Sequence, residues 1–201
     1  VNYWVKANMS YAKNKIIYMD EVVPNEPYMA ETGRSTGLNY GYLFDRFLQK
    51  DDFDADGKLK VDANGEQILP KMSLGTPRPG DTLFKDLNGD GVIDDNDKVA
   101  IGATKKPNFT YGFGVSAKWK GLDVNVHFQG VGKSTYFIDG STVYMFSGGD
   151  GWGNVLKEMA ESNRWILGVN EDPNAEYPRL TYGKNDNNNR ASTYWLRNGA
   201  Y

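Results

Sequence analysis

The residue run with the clearest chemistry is Asp86-Leu-Asn-Gly-Asp-Gly-Val-Ile-Asp-Asp-Asn-Asp97. Its spacing is that of a twelve-residue calcium loop. Asp86, Asn88 and Asp90 occupy loop positions one, three and five, and Gly91 follows where a sharp turn is needed. Val92 offers its backbone carbonyl, Ile93 supplies an apolar anchor, and Asp94 and Asp97 close the set. A hard cation takes six to eight oxygens at roughly 2.3–2.6 Å, and this run can supply them. The expectation is a structural Ca²⁺; the plainer alternative is a solvated acidic turn.

The surroundings of the loop narrow its role. Neither Gly80–Lys85 nor Lys98–Pro107 reads as a helix, so this is no paired helix–loop–helix sensor. Only one copy is present. Asp97 stands where a longer, bidentate Glu is usual, which shifts affinity towards the roughly 10⁻⁴–10⁻³ M of extracellular modules. The expected role is a clasp in an external loop.

Catalytic groups are scarce. The 201 residues contain no Cys and a single His, His127, which falls on the polar side of an alternating segment. No G-x-S-x-G elbow occurs, and no carboxylate pair is singled out for acid–base work. The remaining candidates are aromatics in or beside the second long connection: Tyr136, Tyr144, Trp152, Trp165, Tyr177 and Trp195. They are candidates for stacking on a ligand or a partner, with packing inside the connection as the plainer reading. The net charge of −3 and a pI near 5.3 leave no basic footprint for nucleic acid.

The elements that must position these residues are β-strands. From Phe109 to Trp119 every odd residue is apolar and every even one is small or polar. At 39% apolar content, chance gives such an eleven-residue pattern about 3 times in 10,000 windows. After Lys120-Gly121 the alternation resumes with inverted parity as Leu122, Val124, Val126 and Phe128. A two-residue turn there fixes the register, because directly opposed residues share a face. Apolar pairs are then Trp119–Leu122, Ala117–Val124, Val115–Val126 and Phe113–Phe128. Polar pairs are Lys118–Asp123, Ser116–Asn125, Gly114–His127 and Gly112–Gln129.

No apolar run exceeds four residues, so a transmembrane helix is excluded, but a membrane β-barrel is not. Eleven residues on a tilt cross a bilayer, and aromatics sit at both ends of the apolar face. The hairpin alone fits a half-exposed sheet of a soluble sandwich equally well. Val1–Tyr11 repeats the alternation, broken by Trp4, and Ser192–Tyr201 reads as the opening of another strand. A short helix is expected at Asn154–Trp165. Connections 14–108 and 131–190 are rich in Gly, Pro, Asp and Asn, which suits the extracellular side of a barrel better than a compact soluble domain.

The expected fold class is therefore all-β: about four antiparallel strands of a transmembrane barrel with long extracellular loops. Four strands cannot close a barrel, for which about eight is the minimum. The chain starts at Val1 without Met, so a signal could lie upstream. The expectation is a piece of something longer.

Gly80-Asp81, Lys85-Asp86 through Asp94, Gly102, Pro107, Phe109, Tyr111-Gly112, Gly121-Leu-Asp123 and Phe128-Gln-Gly130 follow in an order that resembles the C-terminal barrel of SusC/RagA-type TonB-dependent outer-membrane transporters of Bacteroidetes. Gly37, Tyr40-Gly41-Tyr42, Asn174–Leu180, Ser192-Thr193 and Trp195-Leu196-Arg197 fit the same resemblance, which spans essentially all of residues 1–201. It implies a barrel of about 22 strands with an N-terminal plug. It also implies a SusD-like surface lipoprotein as partner, and TonB acting through segments absent here. The implied setting is outer-membrane lipid, the implied cargo a glycan or peptide, and no enzymatic activity is implied. The alternative reading is a secreted calcium-binding β-module for adhesion or glycan binding.

Overall fold

A computed structural model describes residues 1–147, 153–161, 163–183 and 185–201. In chain order the strands are β1 (Asn2–Tyr11), β2 (Leu38–Gly41), β3 (Phe44–Phe47), β4 (Lys71–Met72), β5 (Thr82–Phe84), β6 (Val92–Ile93), β7 (Val99–Thr104), β8 (Phe109–Trp119), β9 (Leu122–Gly132), β10 (Thr135–Phe137) and β11 (Leu196–Asn198). Among the described residues one short α-helix, α1, spans Lys157–Glu161. Among the described residues no helix is long and apolar enough to cross a membrane.

Three long strands form one antiparallel sheet in the order β1-β8-β9. Lys120 and Gly121 both take positive φ, 45° and 88°, as a two-residue turn between right-twisted strands requires. The register is the one parity dictates: Trp119 faces Leu122, Val115 faces Val126, Phe113 faces Phe128 and Gly112 faces Gln129. On the other side of β8, Tyr3 faces Ala117, Val5 faces Val115 and Ala7 faces Phe113. Apolar residues of three strands thus lie on one face, because the pleat sends alternate side chains the same way.

Residues 14–108 are folded rather than merely looped. β2 pairs with β7 and β3 with β5, both antiparallel, while β4 and β6 pair in parallel. Tyr42, Leu48, Phe53, Leu59, Leu74, Leu83, Phe84 and Ile93 close a small core there. A second core joins Phe47, Trp165 and Ala175, and a third gathers Met145, Met159 and Trp195. Gly80 is required between the first two: its φ is +85°, and a Cβ would collide with the Trp165 ring.

Two expectations need correction. The helix expected at Asn154–Trp165 is only α1, because the backbone beyond it is taken by tertiary bonds. The Asn163 carbonyl accepts the Glu176 N–H at 2.7 Å, and the Trp165 N–H donates to the Tyr177 carbonyl at 2.8 Å. The strand expected at Ser192–Tyr201 is three residues, Leu196–Asn198, paired with β10. A turn precedes it, in which the Trp195 and Leu196 N–H groups both donate to the Ser192 carbonyl. Tyr201 does reach β9, exchanging two backbone bonds with Val131 at 2.9 and 3.0 Å.

Candidate functional site

The two faces of the long sheet differ in chemistry. On one face Phe113, Val115, Val126 and Phe128 are 45–53% exposed, and Val5 and Met9 are more exposed still. No second layer of described residues covers them. Phe113 and Phe128 stack at 4.9 Å between ring centres, and Tyr3, Tyr111 and Trp119 lie towards the ends of the stripe. An apolar patch of this extent is unusual for a surface meeting water. On the opposite face Lys118 pairs with Asp123 at 3.2 Å and the Ser116 hydroxyl donates to Asn125 Oδ1 at 3.1 Å. A 300 Å³ hollow there is lined by Lys6, Asn8, Gly112, Gly114 and His127 among others. A Cβ on Gly114 would stand 3.0 Å from His127 Nδ1, so the glycine lets the imidazole lie along the sheet.

The loop 86–97 folds on its own side chains. Asp86 accepts the Gly89 and Gly91 N–H groups at 2.7 and 2.8 Å, and Asp90 accepts from Val92 at 2.8 Å. Asn88 Oδ1 accepts the Asp90 N–H at 3.2 Å. Asp94 caps the short turn Asp95–Asp97, accepting from the Asn96 N–H at 2.7 Å. Asp97 closes the loop across its base, accepting the Leu87 and Asp94 N–H groups at 2.7 and 2.8 Å. Gly89 and Gly91 take φ of 72° and 80°, which side-chain-bearing residues rarely adopt. Ile93 is buried in the first core. Its carbonyl and that of Gly91 accept N–H groups of residues 73 and 71, so the Val92 carbonyl between them points away from that neighbour.

The donor chemistry fits a hard cation: carboxylates, one amide oxygen and one carbonyl. Each carboxylate oxygen that takes one N–H keeps a further lone pair. Asp97 is fully buried, and no basic side chain pairs with it among the described residues. Buried charge is ordinarily paired or metal-bound. The convergence is incomplete, however. Among the described residues no three Asp, Glu or His side chains stand close enough together to hold a metal.

The loop also ties distant segments together. Asn96 accepts from the Asn25 amide through Oδ1 at 2.9 Å and from the Tyr28 hydroxyl through its carbonyl at 2.6 Å. The Tyr42 hydroxyl donates to Asp95 Oδ1 at 3.1 Å, and Lys98 pairs with the same oxygen at 2.8 Å. Burial, reinforced by Asp95, pushes the Tyr42 hydroxyl far up, while Lys98 and Tyr42 hold the Asp95 carboxyl below its usual range.

The six aromatic candidates do not form one platform. Trp165 and Trp195 are each 2% exposed and belong to separate cores. As contact residues both are corrected to core residues. Tyr144 packs edge-on against Trp195 at 5.3 Å, and burial pushes its hydroxyl up to about 12. Tyr177 packs on the same cluster, and Tyr136 on β10 is 53% exposed. Trp152 lies outside the described residues.

A polar hub was hidden from sequence reasoning. Asp81, 1% exposed, accepts from Arg179 Nε at 2.7 Å and Nη2 at 3.2 Å. It also accepts from the Asn185 and Asn188 amides at 3.1 and 3.0 Å and from the Arg78 N–H at 2.9 Å. Asn188 Oδ1 in turn accepts the Thr82 N–H at 2.8 Å. The polar tract Asn185–Asn189 thus contributes two buried asparagines, Asn187 and Asn188. The side-chain partners of Asp81 lie about a hundred residues from it in the chain, so no local pattern announces them.

A three-stranded antiparallel sheet with one exposed apolar face, carrying folded loops at one end, is similar in fold to part of a solved transporter. The chain covers 99% of its length on the solved structure of the RagAB peptide transporter, with a TM-score of 0.59 and 18% identity. In sequence it is 26% identical over 134 residues to TonB-dependent receptor P3 of Formosa agariphila, a match covering 61% of this chain. No family model matches it. The chain spans only 12% of that relative and 19% of that neighbour. The neighbour is named a transporter and the relative a receptor.

Proposed function

We propose that the chain is part of an outer-membrane transporter energised through TonB, importing glycans or peptides together with a SusD-like surface lipoprotein. The observation that carries this reading is the uncovered apolar face of β1, β8 and β9 backed by a polar face. Hydrocarbon outside and water inside are the two solvents such a sheet satisfies at once. The likeness in fold to the RagAB peptide transporter supports it. A secreted β-module would need a second layer over Val115 and Val126.

In this reading loop 86–97 is a calcium clasp on the extracellular side, held by Asp86, Asn88, Asp90, the Val92 carbonyl, Asp94 and Asp97. The cation would supply the countercharge for which Asp86, Asp90, Asp94 and Asp97 have no basic partner among the described residues. Of the candidate aromatics among the described residues, Tyr136 is the one exposed enough to meet cargo or the lipoprotein.

Cells lacking the complete transporter should lose uptake of its labelled oligosaccharide or peptide, and collapsing the proton gradient should abolish uptake equally. Uptake that survives both treatments contradicts the reading. For the clasp, Asp86→Ala with Asp90→Ala should make residues 80–102 protease-sensitive, as chelator should in the unaltered protein. Equal sensitivity with and without chelator contradicts it.

A further inference from the structure

A cleft away from both the sheet and the calcium loop has the make-up of a ligand site. It is lined by Arg78, Pro79, Arg164, Ile166, Leu167 and Leu180, with Arg179 and the edge of Trp165, and encloses 370 Å³. That volume lies within the range of small-ligand sites, about 300–1,000 Å³. Three arginines line it in a chain whose net charge is −3.

Those three cations are not equally engaged. Arg179 spends Nε and Nη2 on Asp81, which fixes its plane and leaves Nη1 uncommitted. Arg164 directs Nη1 to the Met159 and Ala160 carbonyls at the end of α1. The Arg78 guanidinium is exposed and has no hydrogen-bond or ion-pair partner among the described residues. Its backbone, by contrast, is pinned, because its N–H donates to Asp81 at 2.9 Å. A fixed backbone beneath an unmatched guanidinium suits a carboxylate, which a guanidinium can hold with two parallel bonds.

The apolar side of the cleft decides which carboxylate. Leu167 is 58% exposed and Trp165 only 2%. The indole ring, covered at Gly80, offers no open face for a sugar to stack on. What remains is aliphatic: Pro79, Ile166, Leu167 and Leu180. Beyond Arg78 and Arg179 a second hollow of 470 Å³ continues, lined by Thr76, Thr181, Tyr182 and Asp186 among others. These can meet a peptide backbone.

We propose that this cleft binds the free C-terminal carboxylate of a peptide whose last side chain is aliphatic. The carboxylate sits between Arg78 and Arg179, the final side chain lies on Leu167, and the preceding backbone enters the polar hollow. The inference deepens the transport reading and rests on it for the supply of peptide, but binding is measured separately from uptake.

The test uses the complete transporter purified in detergent, with the tetrapeptide Gly-Ala-Ala-Leu and its C-terminal amide as probes in calorimetry. The free acid should bind at least about tenfold tighter than the amide. Arg78→Gln should bring the acid down to the amide's level. Leu167→Ser should weaken the leucine-ended peptide but not a glycine-ended one. Unchanged heat denaturation of both variants would show that they remain folded. Equal binding of acid and amide, no binding of the acid at millimolar concentration, or retained discrimination in Arg78→Gln overturns the assignment. So does a glucuronate-ended oligosaccharide that displaces the peptide. Normal binding with no energised uptake would count against the transport reading and leave the cleft intact.

Discussion

The long sheet and the folded loops obey opposite rules. In β8 and β9 the apolar side chains are half exposed, and in the loops Tyr42, Phe47, Trp165 and Trp195 are buried. The sheet has a period of two, a fixed register and no core of its own. The loops have little periodicity, two- to six-residue strands and three cores. The sheet is thus built to be completed by an apolar solvent, whereas the loops carry their own interior and hold together through polar hubs at Asp81 and Asp95.

That contrast can be broken at either end. The largest effect is expected from Asp81→Ala, which strands Arg179 and removes the acceptor of the Asn185 and Asn188 amides. Breaking such a pair costs about 3–5 kcal/mol. Hydrogen exchange should show faster opening of residues 163–190, with β8 and β9 still protected. Equal loss of protection in the sheet would mean that the two regions are one cooperative unit.

Val115→Arg or Val126→Arg should act the other way round. At the bilayer midplane either should cost about 2–4 kcal/mol, read as loss of heat resistance of the membrane-inserted protein with the loops still protease-resistant. Indifference would place those valines in water.

The smallest effect concerns acid. Arg46 holds Asp52 through two bonds of 2.6 and 2.9 Å. Burial alone would raise the Asp52 carboxyl, but Arg46 and the Gln49 N–H outweigh it and hold the carboxyl below its usual value. A lowered folded value gives stability that is present above the ordinary carboxylate range near pH 4 and lost as pH falls through the lowered value. Asp52→Asn should therefore cost about 1 kcal/mol at neutral pH and nothing in strong acid. A constant difference in loop stability between pH 7 and pH 2 would contradict this.

The same contrast explains what was legible in the sequence. Register between Phe109 and Phe128 could be read because side-chain parity is a local rule and Lys120-Gly121 sets the phase. The acidic loop stands out in the sequence because its oxygens sit at fixed spacing within twelve residues. Asp81, Asn187 and Asn188 do not, since their bonds span 104 to 107 residues. Which of the loop aromatics pack inside, as Trp165 and Trp195 do, is illegible for a related reason. The residues that bury them, Phe47 and Met145 among others, come from elsewhere in the chain. The strand at Ser192–Tyr201 is shorter than its alternation suggests, because alternation does not reveal the turn at Ser192 that swings Trp195 inward.

The most direct measurement of the central claim is spin-label accessibility in the complete protein, reconstituted in bilayers. Labels would stand singly at Val115, Val126, Ser116 and Asn125. Labels at the two valines should collide with dissolved oxygen and be shielded from a water-soluble nickel chelate, while those at Ser116 and Asn125 should show the reverse. Chelate access at both valines would contradict the account, as would all four labels behaving alike.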